Sequence, residues 1–186
     1  MTRLPRRLIL PAVLLVALIQ TALAGKLILD RATLLRTGTE VTLQTTFVDP
    51  RDLFRGHYAV IDLAISRVPA DSIPPPEAPA RGAPVWAALI EGEDGFWTVA
   101  ALHTSPDAEQ NGRPLIRGAF LGHWHDRYTL RFPIDRYFAP KDRALELENL
   151  RDAQRLGVIV ALSPAGEAAI KGLTIDGQRI YEEPLY

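Results

Sequence analysis

The segment that most restricts this chain lies at its start. From Leu8 to Gly25 the only polar side chains are Gln20 and Thr21, and Arg3, Arg6 and Arg7 stand directly before that run. A helix with apolar residues on every face has no single stripe to bury against a domain, and Pro11 in its interior further disfavours a core helix. A charged flank followed by an apolar run is instead the arrangement of a segment that enters a membrane. At about 1.5 Å per residue the run reaches roughly 27 Å, and Leu27, Ile28 and Leu29 beyond Lys26 extend it, so it is long enough to span. Ala22-Leu23-Ala24 also has the small-x-small pattern that a signal peptidase reads. Two outcomes therefore stand: residues 8–29 are a permanent anchor, or they are a signal peptide ending at residue 24. In both, the basic flank at residues 1–7 stays cytoplasmic under the positive-inside bias. Residues 30–186 are then delivered to the far side, which is the periplasm where the membrane is a bacterial inner one.

The exported part has the composition of one globular domain. Hydrophobic residues make up 47% of the chain, enough to build a core. The absence of Cys excludes disulfides, thiolate nucleophiles, Cys-ligated zinc and iron–sulfur clusters. With 21 Lys+Arg against 22 Asp+Glu, the chain is too balanced for a protein that neutralises nucleic-acid phosphates, so no nucleic-acid partner is expected. No Gly-rich phosphate cradle or dinucleotide fingerprint is present, and no cofactor is expected.

Hydropathy alternates with period two from Glu40 to Val48, where Val41, Leu43, Thr45 and Phe47 share one face, and again from Tyr58 to Ser66, where Ile61, Leu63 and Ile65 do. Both are expected strands. The Pro-rich segment 69–84, with Pro74, Pro75 and Pro76 in succession, is expected to be an extended loop separating two β lobes. Val85–Ile90 and Phe96–Leu102 flank Gly92-Glu93-Asp94-Gly95 as a hairpin, and this would place Trp86 and Trp97 on facing strands. Pro114–Leu121 pairs with Arg127–Phe132, and Gly157–Leu162, Glu167–Ile175 and Arg179–Glu182 form a closing meander that turns at Asp176-Gly177. One amphipathic helix is expected over Lys141–Arg155, from Ala144, Leu147, Leu150 and Ala153 with Glu148–Arg151 and Asp152–Arg155 pairs, capped by Gly157. The fold class is mainly β: a compact antiparallel barrel or sandwich with one short helix, preceded by an N-terminal transmembrane helix.

The most distinctive segment is Val48-Asp49-Pro50-Arg51-Asp52-Leu53-Phe54-Arg55-Gly56-His57-Tyr58, a charge-rich connection between the first two strands. Asp49 and Pro50 suit a turn, and Gly56 suits the return of the chain into the sheet. Arg51, Asp52 and Arg55 either pair within the fold or face outward. Facing outward, Arg51 and Arg55 would offer planar bidentate donors to a carboxylate or phosphate, with Phe54 as an apolar anchor beside them. The segment resembles the bacterial GDYXXLXY family, in which an Asp-Pro-Arg-Asp-Leu-Phe-Arg stretch precedes a Gly-Asp-Tyr-x-x-Leu-x-Tyr signature. Asp49 to Arg55 reproduces that stretch, and Gly56 and Tyr58 match the signature. His57 stands where the family has Asp, Ile61 where it has Leu, and Leu63 where it has the final Tyr. Ile134-Asp135-Arg136-Tyr137-Phe138-Ala139-Pro140 and Ile170-Lys171-Gly172-Leu173-Thr174-Ile175-Asp176-Gly177 extend the resemblance. It implies a membrane-anchored protein without an assigned activity, associated with polytopic membrane proteins, and so favours the anchor over the cleaved signal.

Other chemistry-bearing residues are sparse. His123-Trp124-His125 has metal-ligand character, since i and i+2 share a face on a strand, and His103, His57 or Asp126 would have to supply a third ligand. Glu91, Glu93 and Asp94 cluster at the expected hairpin turn, where carboxylates are commonly solvated. A faint likeness to type I signal peptidases lacks its nucleophile, because Phe47 to Tyr58 holds no Ser, Thr or Cys placed to attack a carbonyl. Ser66, Ser72, Ser105 and Ser163 have no paired base nearby in sequence. The expected function is a membrane-anchored, periplasm-facing accessory protein that binds another envelope protein, a polytopic inner-membrane one, through Asp49–Tyr58. A small-ligand or metal-binding module at His123 and His125, or an envelope hydrolase with a signal-peptidase-like fold, are the alternatives.

Overall fold

The computed structural model describes residues 6–48, 59–70, 79–109, 111–134, 136–137 and 156–182. Among the described residues one long helix, α1 (Arg6–Thr37), precedes eleven strands: β1 (Thr39–Val48), β2 (Ala59–Leu63), β3 (Arg67–Pro69), β4 (Pro84–Glu91), β5 (Trp97–His103), β6 (Leu115–Trp124), β7 (Arg127–Arg131), β8 (Arg136–Tyr137), β9 (Leu156–Leu162), β10 (Ala168–Ile175) and β11 (Gln178–Glu182). They form a six-stranded sheet in the order β11-β10-β9-β1-β2-β8 and a five-stranded sheet in the order β3-β7-β6-β4-β5, with antiparallel neighbours throughout. The protein is mainly β with an N-terminal helix apolar enough to cross a membrane, as the sequence led us to expect.

The core lies between the sheets. Val41 and Leu43 of β1, Val158, Val160 and Leu162 of β9, and Leu173 of β10 meet Val85, Ala87 and Leu89 of β4, Ile116 and Phe120 of β6, and Phe132. The alternating residues Val41, Leu43 and Thr45 therefore form the inward face of β1, and Thr45 satisfies its hydroxyl by donating to the Asp62 carbonyl at 3.0 Å. Strand β9 is buried at every position because it is central in its sheet and carries α1 on its outer side.

Several expectations need correcting. The second strand stops at Leu63, and residues Ala64–Ser66 form a 3-10 turn with Ile65 still buried in the core. That turn carries the chain from the first sheet to the second, so β3 and β4, on either side of the Pro-rich segment, lie in the same sheet. The Pro-rich segment therefore does not divide two lobes. Trp86 pairs with His103 and Trp97 with Glu91, which puts the two indoles at opposite ends of the β4–β5 hairpin. Gly157 is not a helix cap; it lies within β9, opposite Gln44 and Thr174, where an added Cβ would come to 2.4 Å from the Thr174 hydroxyl. The helix expected over Lys141–Arg155 falls outside the described residues.

Helix α1 is longer than the apolar run that signals it, continuing past Leu29 to Thr37. Its two parts have different surroundings. Consecutive residues Leu14, Leu15 and Val16 are all more than half exposed, so that part packs on none of the described residues. Leu35 is 2% exposed, held against Ala161 of β9 and Ala169 of β10, and the Arg31 guanidinium donates to the Ala168 carbonyl at 3.3 Å. Thr21 donates to the Ala17 carbonyl one turn back, which satisfies its hydroxyl without solvent.

Candidate functional site

Segment Asp49–Tyr58 (Asp49, Pro50, Arg51, Asp52, Phe54, Arg55, Gly56, His57 and Tyr58 among its residues) lies outside the described residues. Its place in the chain is nevertheless fixed by its flanks: β1 and β2 are antiparallel neighbours whose register runs to Val48 opposite Val60, so the segment joins two paired strands. The histidine pair is described. Trp124 is the last residue of β6, and His125 stands in the turn to β7 with a left-handed φ of 55°. The i and i+2 geometry of a strand is broken there, because the turn rotates His125 off the strand face. His123 instead sits 5.2 Å from the Tyr128 ring across the strand pair, and Trp124 lies 5.3 Å from His125. Among the described residues no three His, Asp or Glu side chains gather as a metal site.

Three of the remaining candidates, Asp94, Ser105 and Ser163, act as turn acceptors, and Ser72 lies outside the described residues. Asp94 accepts from the Phe96 backbone N–H at 3.1 Å and closes the β4–β5 turn. Ser105 accepts from the Asp107 N–H and Ser163 from the Glu167 N–H. A buried polar group that sequence patterning did not single out follows β5. There His103 Nε2–H donates to Glu109 at 3.2 Å, and the same carboxylate accepts from the Asn111 N–H at 2.7 Å. Burial works against the charge on Glu109, but the Asn111 N–H, His103 and nearby Arg113 together hold the carboxyl below its ordinary range.

A concave feature lies where α1 meets the strands. It is a cleft of about 720 Å³ walled by Asp30, Arg31 and Leu34 of the helix, by Arg117–Ala119 of β6, by Arg131–Pro133 at the end of β7, and by Gly166–Ala168. Local structure explains how these residues come together. Arg117 and Trp86 are register partners on β6 and β4, so they share the outer face of their sheet, and the guanidinium stacks 5.5 Å from the indole centroid. The indole N–H donates to the Ala165 carbonyl at 3.0 Å, and the Arg117 N–H to the Gly166 carbonyl at 2.8 Å. These bonds fasten the β9–β10 turn against the second sheet, and Gly166 allows it with a φ of 88°, where an added Cβ would press the Trp86 ring. Arg131 is the register partner of Ala119 and points to the same outer face.

The charge of the cleft is uneven. Three arginines, Arg31, Arg117 and Arg131, face two carboxylates, Asp30 and Glu167, and Asp30 is already paired with Lys26 one turn back on the helix. Among the described residues neither Arg117 nor Arg131 has an acidic partner. Sequence patterning missed this cleft because its walls come from distant segments, and each arginine taken alone looks like an ordinary exposed strand residue.

A family model described as GDYXXLXY protein matches residues 20–173, from the middle of α1 into β10. No curated protein and no solved structure matches the chain.

Proposed function

The chain belongs to the GDYXXLXY protein family, and we propose that it is a single-pass membrane protein that holds its β sandwich on the extracytoplasmic side as an accessory to a polytopic inner-membrane protein. One observation carries this proposal: the helix is unbroken from its exposed apolar part to its docked end, with Leu29 68% exposed and Leu35 2% exposed. A continuous helix fixes the height and orientation of the sandwich above the membrane, which suits a module that must meet a neighbour in the same bilayer. Cleavage after Ala24 would leave Leu27, Ile28 and Leu29 exposed at the new start of the chain with no surface to cover them. The basic flank at Arg3, Arg6 and Arg7 favours a cytoplasmic N-terminus. The segment Asp49–Tyr58, with its Arg51 and Arg55, supplies the contact to the partner.

The test is crosslinked co-purification of the full-length protein from gently solubilised membranes beside an Arg51→Ala/Arg55→Ala variant. A specific polytopic partner retained by the parent and lost in the variant is the expected result. An unchanged set of captured proteins would assign the two arginines to the fold instead, and capture of no membrane protein would overturn the accessory role.

A further inference from the structure

We propose that the cleft at the foot of α1 binds the phosphate headgroup of an anionic phospholipid from the leaflet through which the helix emerges. Two features of the cleft support this, its depth and its donors. If the hydrocarbon core ends near Leu29, the last of the exposed apolar residues, Asp30 and Arg31 stand roughly 1.5–3 Å further along the helix axis, within a headgroup layer about 5–7 Å deep. Lys26, one turn before Asp30, carries its ammonium toward that layer and neutralises Asp30. A lipid lying against the exposed face of α1 would therefore present its phosphate at the level of the cleft.

The donors suit that group. Arg117 and Arg131 stand on adjacent strands and share the outer face of their sheet, with Ala119 opposite Arg131 leaving room between them. Arg31 faces them from the helix, tied to the Ala168 carbonyl. Guanidinium groups give parallel N–H donors that match phosphate oxygens, and they retain their charge at any physiological pH. Arg117 is also held in place by the Trp86 ring, so less of its freedom is lost on binding. A neutral polar ligand would leave this excess of cations unused, and a wholly apolar one would bury it uncompensated.

The experiment is native mass spectrometry of the full-length protein in detergent with added phosphatidylglycerol. The same spectrum gives the mass of the chain, so loss of the helix, which would defeat the anchor, is distinguished from failure of the cleft to bind. The parent should retain one lipid per chain, and Arg117→Gln/Arg131→Gln should weaken retention roughly tenfold or more. Arg127→Gln, on the same strand and face as Arg131 but about 13 Å away, should retain it fully. Arg131→Gln alone keeps the test independent of folding, because that guanidinium makes no hydrogen bond or ion pair among the described residues and is exposed. Equal retention by the parent and the Arg117→Gln/Arg131→Gln variant would overturn the proposal. So would displacement of the lipid by inorganic phosphate at matched concentration, which would make a free anion the ligand, or retention confined to a protein fragment.

Discussion

Gly38 and Leu162 meet where the helix gives way to the first strand: a Cβ on Gly38 would lie 3.0 Å from the Leu162 carbonyl oxygen and 2.6 Å from that of Leu34. Both obstacles are backbone, so neither can move aside without shifting α1 or β9. The Gly38 N–H also donates to the Leu34 carbonyl at 2.9 Å and closes the last turn of the helix. This joint sets how α1 rests on Ala161 and Ala169.

Gly38→Val is therefore expected to destabilise the docked end of the helix by about 1–3 kcal/mol, through overpacking against backbone. Thermal unfolding of the full-length protein in detergent should show a fall of several degrees. Trypsin should also reach Arg31 and Arg36 sooner. Gly25→Ala is the matched comparison, since nothing lies within 4 Å of its added Cβ and alanine suits a helix interior better than glycine. A Gly38→Val protein as stable and as protease-resistant as its parent would mean that the helix is not held at this joint.

Acid sensitivity should centre on Glu109. Its side chain is 3% exposed, and although burial opposes ionisation, the Asn111 N–H, His103 and Arg113 hold the carboxyl below its ordinary value of 4.5. A carboxylate whose folded pKa is depressed contributes stability above its unfolded pKa, and that contribution is lost as pH falls through the folded value. Glu109→Gln should thus cost about 1 kcal/mol or more at neutral pH, with the difference from the parent shrinking at an acidic pH below the ordinary carboxylate range. Urea unfolding at the two pH values measures it. A gap of the same size at both would remove the charge from the account. Glu40 is lowered for a different reason, a hydrogen bond from Lys171 at 2.7 Å, with Arg179 also near. Because 42% of its side chain is exposed, solvent screens these partners and Glu40→Gln should have the smaller effect.

Strands were legible where one face is buried and the pattern runs for several residues. Val41 and Leu43 alternate with Thr42 and Gln44 because β1 has the core on one side only. The turn at Asp176-Gly177 was legible from its residues, since both take positive φ, 49° and 79°, which few other pairs tolerate in a two-residue turn. Strands β3 and β8, of three and two residues, are too short to alternate and passed unseen. The continuation of α1 was hidden for another reason. Asp30, Arg31, Thr33, Arg36 and Thr37 read as the polar edge of the exported domain, and only Leu34 and Leu35 mark the stripe that docks.

Tertiary pairing explains the remaining differences. Trp86 and Trp97 do stand on facing strands, β4 and β5, but the register places each opposite a different residue, so they do not pack across the pair. His125 left the strand face because two residues, His125 and Asp126, suffice to turn β6 into β7. The cleft was least legible of all. Arg31, Arg117 and Arg131 are brought together by the docking of α1 and the β9–β10 turn, neither of which has a local signal.

Thr174 offers the sharpest test of a buried polar group. Its side chain is 5% exposed, on β10 opposite Gly157, and among the described residues its hydroxyl has no hydrogen-bond partner. A buried hydroxyl left without a partner costs about 1–3 kcal/mol relative to one that is satisfied. Valine has nearly the same shape and places a methyl where the hydroxyl stands, so it removes that cost without opening a cavity. Thr174→Val is expected to raise stability by about 1 kcal/mol, seen as a higher urea midpoint with an unchanged slope. Thr174→Ala separates the two contributions, because it removes the same hydroxyl but also a buried methyl, and it should be less stable than the valine variant. A Thr174→Val protein less stable than its parent would show that the hydroxyl does find a partner, and that the close approach of Gly157 serves to admit it.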